Sequence, residues 1–164
     1  MVLIIDGHNL IPRIPGMSLA DPEDEAQLIQ LLQDYCRVRR KQAEVFFDGA
    51  PAGQAGVRGH GLVRAHFVRE GMTADDAIMV YLKKLKKRAR NVTVVSSDRQ
   101  VAAAARAVHA QVMTSEAFAA AWADLTQEAP GLDPRERPLS EDEVAQWERL
   151  FKDSHPPENP KSYK

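Results

Sequence analysis

The sequence of 164 residues contains a single cysteine, Cys36, and few aromatic residues, at 6%. One cysteine excludes an internal disulfide and is typical of proteins from a reducing compartment. A zinc site is also disfavoured, because the five histidines form no H-x-x-x-H pair. The scarcity of aromatic residues argues against a platform on which RNA bases stack, such as that of an RRM domain.

Two further features are missing: a long apolar run and an excess of one charge. No apolar run approaches the roughly 20 residues that a membrane-spanning helix needs, and the start MVLIID lacks the basic region of a secretory signal. The formal net charge is −1, so a nucleic-acid partner has to be bound by local basic clusters. We therefore expect a cytoplasmic protein with no membrane association and one well-buried core.

Short apolar runs alternate with helix-forming segments along most of the chain. Strands are predicted at residues 2–6, 43–49, 62–69, 91–97 and 110–114, and helices at about 22–42, 74–88, 98–108 and 115–125. Asp21 is predicted to cap the first helix, and Pro22 to be its first residue. The glycine-rich segment 51–61 is predicted to be a flexible loop. This alternation indicates an α/β fold in which helices cover both faces of a mostly parallel sheet.

The composition changes near the C terminus. Residues 127–139 are rich in proline and charge, and they are predicted to link a domain at 1–126 to a short helix at 140–152. Ser140 and Glu143 have the spacing of a capping box at the start of this helix. The last residues, 153–164, are predicted to be disordered.

Acidic residues follow the apolar runs of three predicted strands. Asp6 and Asp48 each precede a glycine, and Asp98 follows VVSS. Because the carboxyl ends of parallel strands meet at one edge of a sheet, these carboxylates are expected to lie close together. Simpler explanations also exist. Asp6 and Asp48 suit tight turns at strand ends, and a capping box of Ser97 and Gln100 would place Asp98 in the first turn of a helix.

The segment TADDAI adds two acids at the start of a helix, and their spacing separates them. At about 100° per residue, Asp75 lies roughly 40° from the centre of the apolar stripe of the helix, and Asp76 roughly 140° from it. Asp75 is therefore predicted to face the sheet, where an unpaired carboxylate is unfavourable. Converging carboxylates without matching cations repel one another unless some are protonated or a metal lies between them. Oxygen ligands alone suit Mg²⁺ or Mn²⁺, and such an ion can assist phosphodiester hydrolysis.

Four motifs, IIDGHNLI, VFFDG, TADDAI and VVSSDRQV, resemble in order and spacing the YacP-like branch of NYN domains, within the PIN-like nuclease superfamily. The C-terminal segment PLSEDEVAQWERLFK resembles the tail of that branch. The resemblance implies a PIN-like three-layer sandwich with a mostly parallel central sheet, followed by the short helical tail. It also implies a metal-dependent endoribonuclease, and relatives include one that cuts messenger RNA on the ribosome.

Carried across position by position, the resemblance implies that Asp6, Asp75 and Asp98 are catalytic and hold Mg²⁺ or Mn²⁺. Four further polar residues are expected to support them: Asn9, Asp48, Asp76 and Ser96. His8 stands where relatives often carry tyrosine. It either contacts RNA by stacking, titrates near the site, or is a partly exposed neighbour without a role.

Six cations lie within LKKLKKRAR, near the end of the helix that Asp75 begins. They either complement the helix dipole or bind phosphate in a salt-dependent way. At 1.5 Å per residue they begin about 12 Å from Asp75, so they are expected to dock RNA or a ribosome rather than to take part in the chemistry. The expected substrate contacts are His8, Arg58, His60, Lys83, Lys84 and Lys87.

Two alternative interpretations compete with that of a nuclease. The first is a PIN-like module that binds RNA or ribosomes without cutting RNA. The second is another α/β enzyme with acids at the sheet edge. A phosphatase of the haloacid dehalogenase type needs a second acid two residues after the first, where this chain has His8. A receiver domain needs paired acids after the first strand, and only Asp6 is present there.

Overall fold

The computed structural model describes residues 1–128, in which strands and helices alternate. The strands are β1 (Val2–Asp6), β2 (Gln42–Ala50), β3 (Gly56–His60), β4 (Val63–Arg69), β5 (Val92–Val95) and β6 (Gln111–Met113). The helices are α1 (Gly7–Leu10), α2 (Asp24–Arg39), α3 (Ala74–Leu85), α4 (Arg99–Ala107) and α5 (Ser115–Glu128), and 3₁₀ helices follow α1 and α3 at Ile11–Arg13 and Lys86–Asn91. The predicted helix 140–152, the tail 153–164 and most of the predicted linker lie outside the described residues.

The strands form one sheet in the order β3-β4-β2-β1-β5-β6. Neighbouring strands are parallel except β3 and β4, which are antiparallel. β1 lies inside the sheet between β2 and β5, where Asp6 pairs with Phe46 and Ile5 pairs with Val95. The predicted α/β fold with a mostly parallel sheet is thus confirmed, and the end of β1 lies at the centre of its carboxyl edge.

Helices cover both faces of the sheet and complete the three layers. On one face a continuous apolar cluster joins the strands to α3 and α4; it includes Ile4, Phe46, Val94, Ile78, Leu82, Val101 and Ala105. On the other face α2 packs on β2 and β4. There the buried rings of Tyr35 in α2 and Phe118 in α5 contact each other with centroids 4.8 Å apart. Within residues 1–128, no helix is both long and apolar enough to cross a membrane.

The buried carboxylate of Glu44, in β2, is neutralised by three neighbours. Arg64 Nη2 lies 2.8 Å from its Oε1, and His66 Nε2 lies 2.9 Å from its Oε2. The hydroxyl of Tyr81 donates to Oε1 at 3.0 Å. Burial pushes the pKa of Glu44 upwards, but the hydrogen bonds from His66, Arg64 and Tyr81 outweigh it and hold the pKa below its ordinary value. The fold thus accommodates this buried carboxylate by surrounding it with hydrogen-bond donors.

Three local predictions from the sequence are wrong. α2 begins at Asp24 rather than Pro22, because the Asp21 side chain accepts a hydrogen bond from the Glu23 N–H at 2.9 Å and forms a separate turn before the helix. Residues 56–60 form a strand instead of a loop, since their backbone pairs with β4. The α-helical part of α3 ends at Leu85, where the following residue adopts a positive φ of 50°.

Gly7 is required by packing rather than by a turn. The chain passes from β1 directly into α1, and a Cβ at Gly7 would lie 2.3 Å from Cε1 of Phe47. Phe47 is fully buried, so its ring has little room to move aside. Gly49, after Asp48, does adopt a positive φ of 76°. The two Asp-Gly pairs of the sequence therefore use their glycines for different reasons.

Gly7→Ala is expected to lower the free energy of unfolding by about 1–3 kcal/mol, because the added methyl group overpacks against Phe47. Gly53→Ala is the matched control, since a Cβ there meets nothing within 4 Å. Urea unfolding followed by circular dichroism measures both variants. Equal stability of the two would contradict the packing explanation.

Candidate active site

Three carboxylates from distant parts of the chain meet at the carboxyl edge of the sheet. Asp6 ends β1, Asp75 lies in the first turn of α3, and Asp98 is the N-cap of α4. Asp75 lies close enough to both Asp6 and Asp98 for these carboxyl groups to shift one another's pKa. The structure therefore brings together the three acids expected to be catalytic, and we call them the acid cluster.

The start of α3 places one acid inside the site and one outside. The Thr73 hydroxyl accepts a hydrogen bond from the Asp76 N–H at 3.1 Å and caps the helix. Asp75 is then half-buried, whereas Asp76 is exposed, as the helical spacing predicts. Asp76 thus lies on the outer side of α3, away from the buried sheet surface.

Asp98 itself caps α4, a position that the capping-box prediction assigns to Ser97. Its Oδ1 accepts hydrogen bonds from the N–H groups of Gln100 and Val101, at 2.8 and 3.1 Å. The buried Ser96 hydroxyl accepts a hydrogen bond from the Asp98 N–H at 3.1 Å. Ser96 therefore holds the backbone of Asp98, and the cap fixes the direction of the Asp98 side chain.

Among the described residues, the acid cluster lacks basic partners of the kind that surround Glu44. Within residues 1–128, no lysine, arginine or histidine forms an ion pair with any of its three acids. Burial, together with the hydrogen bond and charge of Asp75, raises the pKa of Asp6 from 3.8 to about 7. Burial and the charge of Asp98 raise the pKa of Asp75 as well. The cluster therefore retains a proton near neutral pH unless a cation replaces it.

The donor set of the acid cluster fits a hard divalent cation. All of its ligand atoms are carboxylate oxygens, which Mg²⁺ and Mn²⁺ prefer. As the side chains stand, no three acidic, histidine or cysteine side chains of residues 1–128 are arranged to hold a metal ion. A bound cation would take the place of the proton that the raised pKa of Asp6 retains.

Asp48 and His8 form a polar pair beside the acid cluster. His8 Nδ1 lies 2.8 Å from Asp48 Oδ1, and His8 Nε2 lies 3.8 Å from Glu25 Oε1. The His8 ring also packs against Phe47, with centroids 5.4 Å apart. The charge of Asp48 contributes to the raised pKa of Asp6. Asp48 therefore acts on the cluster electrostatically and orients the imidazole at its rim.

An open groove with a volume of about 720 Å³ lies between His8 and the start of α2. Its other lining residues are Leu19, Ala20, Asp21, Pro22, Asp24 and Glu25. The three carboxylates in this lining repel phosphate. The groove is therefore better suited to the uncharged parts of a ligand than to a phosphate backbone.

The other expected substrate contacts lie away from the acid cluster. Arg58 and His60 are on β3, three strands from β1, so about 14 Å of sheet separates them from Asp6. The guanidinium of Arg58 packs over the Phe67 ring, 4.9 Å from its centroid. Three exposed lysines lie at the end of α3 and just beyond it: Lys83, Lys84 and Lys87. His8 alone among the six expected contacts adjoins the acids.

Asn9 has two partners that the sequence did not reveal. Its Oδ1 accepts hydrogen bonds from the Ser97 N–H at 3.0 Å and from the Ser115 hydroxyl at 2.6 Å. The N–H of Ser115 donates to Ser97 Oγ at 3.1 Å. Both serines lie next to helix starts, where serine is a common cap. Their positions in the sequence therefore do not predict a contact with Asn9.

Comparison with known proteins identifies the family. The family model of the YacP-like NYN domain matches residues 3–152. The chain belongs to this family. The NYN chain is similar to two crystal structures of Rae1 (YacP) from Bacillus subtilis, one of them a tryptophan-to-leucine mutant, each at 21% identity and a TM-score of 0.62.

The similarity to the Rae1 structures extends over nearly the whole NYN chain. The first comparison covers 94% of this chain and 92% of the Rae1 chain, and the second covers 93% and 98%. No curated protein matches this sequence. At this level of identity the crystal structures support the α/β fold alone, and the roles of individual residues depend on the geometry above.

Without divalent ions, the free energy of unfolding is expected to fall as the pH rises from about 4 to 7, because of the raised pKa of Asp6. Through this window the folded protein keeps a proton that the unfolded chain has lost, so the slope reaches at most about 1.4 kcal/mol per pH unit. Asp6→Asn is expected to flatten the slope, and Asp124→Asn, at an exposed position of α5, to preserve it. Urea unfolding in the presence of a chelator measures this, and a flat wild-type curve would contradict the raised pKa.

Proposed function

We propose that this NYN protein is a metal-dependent endoribonuclease of the cytoplasm in which Asp6, Asp75 and Asp98 hold Mg²⁺ or Mn²⁺. The observation that supports this most strongly is the raised pKa of Asp6 and Asp75 beside Asp98, with no neutralising cation among the described residues. Glu44 shows that the same fold supplies arginine and histidine to another buried carboxylate. Membership of the NYN family supports RNA as the substrate.

The residues of the cluster have distinct tasks in this proposal. Asp6 is buried at the end of β1 and gives up its proton when the cation binds. Asp75 and Asp98 lie at the first turns of α3 and α4, where helix dipoles favour negative charge. When bound, the divalent ion supplies Lewis-acid activation of water and of the phosphodiester. His8, held by Asp48, is placed to contact a nucleotide beside the scissile bond.

RNA is expected to dock on a basic surface at the far end of α3. This α3 basic surface comprises Lys83, Lys84, Lys86, Lys87, Arg88 and Arg90, all exposed. Within residues 1–128 none of the six forms an ion pair, whereas Arg37 and Arg39 of α2 pair with Asp34 and Glu128. Unpaired surface cations are free to replace the counterions of phosphates. Ribosome-bound messenger RNA, with ribosomal RNA around it, is a substrate of this kind.

Asp75→Asn is expected to lower the rate of Mn²⁺-dependent RNA cleavage about 100-fold or more, because it removes a charged ligand from the acid cluster. Asp124→Asn, at an exposed position of α5, is expected to cleave at the wild-type rate. Cleavage of a labelled RNA, with folding checked by circular dichroism, measures the difference. RNA that is bound but left intact by the wild type would instead indicate a non-catalytic RNA-binding module.

A variant with Lys83, Lys84 and Lys87 all changed to glutamine is expected to bind single-stranded RNA more weakly and with less salt dependence. Each lost phosphate contact lowers the slope of log K against log salt by about 0.7, which makes a total of about 2. The matched triple changes Arg37, Arg39 and Arg40 to glutamine, at the end of α2. An equal change of slope in the two variants would contradict a specific role for the α3 basic surface.

A further inference from the structure

The segment that carries Asp98 is tied to the segment that follows Asp6 by a chain of polar contacts, the Asn9 clamp. The clamp consists of Asn9, Ser97, Ser115, Glu116 and Arg13. Asn9 Oδ1 accepts hydrogen bonds from Ser97 and Ser115, at 3.0 and 2.6 Å. The Ser97 hydroxyl donates to Glu116 Oε2, and Glu116 Oε1 pairs with Arg13 Nε at 3.2 Å. Three of these contacts join α1 and its 3₁₀ extension to the start of α4 and to α5, and the fourth joins Ser97 to Glu116 of α5.

The hydroxyl of Ser115 is not needed to cap its own helix. Thr114 has that role, because its Oγ1 accepts a hydrogen bond from the Ala117 N–H at 3.0 Å and its carbonyl accepts one from the Phe118 N–H at 3.1 Å. Ser115 is fully buried and directs its hydroxyl across to Asn9. This buried hydroxyl is not needed as a helix cap, and its hydrogen bond joins two helices. The arrangement indicates a positioning role.

The Asn9 clamp lies beside the carboxylates of the acid cluster, which repel one another. Asp75 interacts with both Asp6 and Asp98, and these carboxylates repel one another when they are deprotonated. Asn9 lies three residues after Asp6, and Ser97 immediately precedes Asp98. The hydrogen bond between the Ser97 N–H and Asn9 Oδ1 therefore acts against separation of Asp6 and Asp98.

We propose that the Asn9 clamp is a positioning device for the metal site, and that Ser115 sets the affinity for the divalent ion by holding Asn9 against Ser97. This inference rests on the proposed function, since it assigns the ion to the acid cluster. Ser115 and Asn9 are positioning residues, because they act through Ser97 and Asp98 and not on the substrate. Preorganised ligands bind a cation more tightly than ligands that must be drawn together on binding.

A matched pair of variants isolates the hydroxyl: Ser115→Thr and Ser115→Val. Both add the same bulk to a buried position, and only threonine retains the donor to Asn9. Thr126→Val serves as a control in the same helix, since the Thr126 hydroxyl donates to the Ala123 carbonyl at 2.8 Å and takes no part in the clamp. The dissociation constant for Mn²⁺ is measured on the full chain by electron paramagnetic resonance of the free ion, and the unfolding midpoint is measured without metal.

Ser115→Val is expected to bind Mn²⁺ about fivefold to tenfold more weakly than Ser115→Thr, as the loss of one buried hydrogen bond implies. Asn9→Ala is expected to weaken Mn²⁺ binding similarly, and Ser115→Val to add little to it, because both remove the same bond. If Ser115→Val does not fold, Asn9→Ala and its combination with Ser115→Thr provide the same comparison. Thr126→Val is expected to retain the wild-type dissociation constant even where it lowers the unfolding midpoint.

The outcomes separate the clamp from the nuclease proposal. Equal Mn²⁺ affinity in the two Ser115 variants, with the wild type binding Mn²⁺ and cutting RNA, would overturn the clamp alone. Weaker binding by Thr126→Val, in proportion to its lost stability, would also overturn the clamp, because general loosening would then suffice. A wild-type chain that binds no Mn²⁺ would overturn both proposals.

Discussion

Repulsion among Asp6, Asp75 and Asp98 is the constraint around which the carboxyl edge of the sheet is organised. Burial of Asp6 strengthens this repulsion, and the cluster responds by retaining a proton with a pKa of about 7. Three separate devices hold the acids in place: the Thr73 cap of α3, the cap of α4 by Asp98 itself, and the hydrogen bonds of Asn9. Local structure and interhelical bonds together keep charges close that would otherwise separate.

Two buried carboxylates of the chain, those of Glu44 and Asp6, have opposite electrostatic surroundings. Glu44 is surrounded by Arg64, His66 and Tyr81, which satisfy its oxygens and lower its pKa. Asp6 has carboxylates for neighbours, and its pKa is raised. Burial raises the pKa of both acids, and their partners decide the opposite directions of the two net shifts. An acid left in this state by its own fold is poised to exchange a proton for a cation.

Much of the architecture could be predicted from apolar periodicity. The order of strands and helices, the parallel sheet and the burial of Asp75 relative to Asp76 all follow from side-chain spacing. Strand β3 was not predicted because its sequence, GVRGH, contains two glycines and a single β-branched residue, and its pairing with β4 is made by backbone atoms. The start of α2 at Asp24 and the cap of α4 at Asp98 were also predicted wrongly, since Asp, Ser and Thr near a helix start compete as caps and the sequence does not rank them.

The amino-acid order already contained the fold class, the family motifs and the presence of acids at strand ends, because these depend on local spacing along the chain. The hydrogen-bond and packing partners of individual residues were decided only by the tertiary structure. Gly7, which follows β1, packs against Phe47 of the neighbouring strand β2, and Ser115 of α5 donates to Asn9 of α1, 106 residues earlier in the chain. Contacts of this kind join residues far apart in the chain, and their physical cause is the packing of α1, α4 and α5 at one edge of the sheet, which no local pattern encodes.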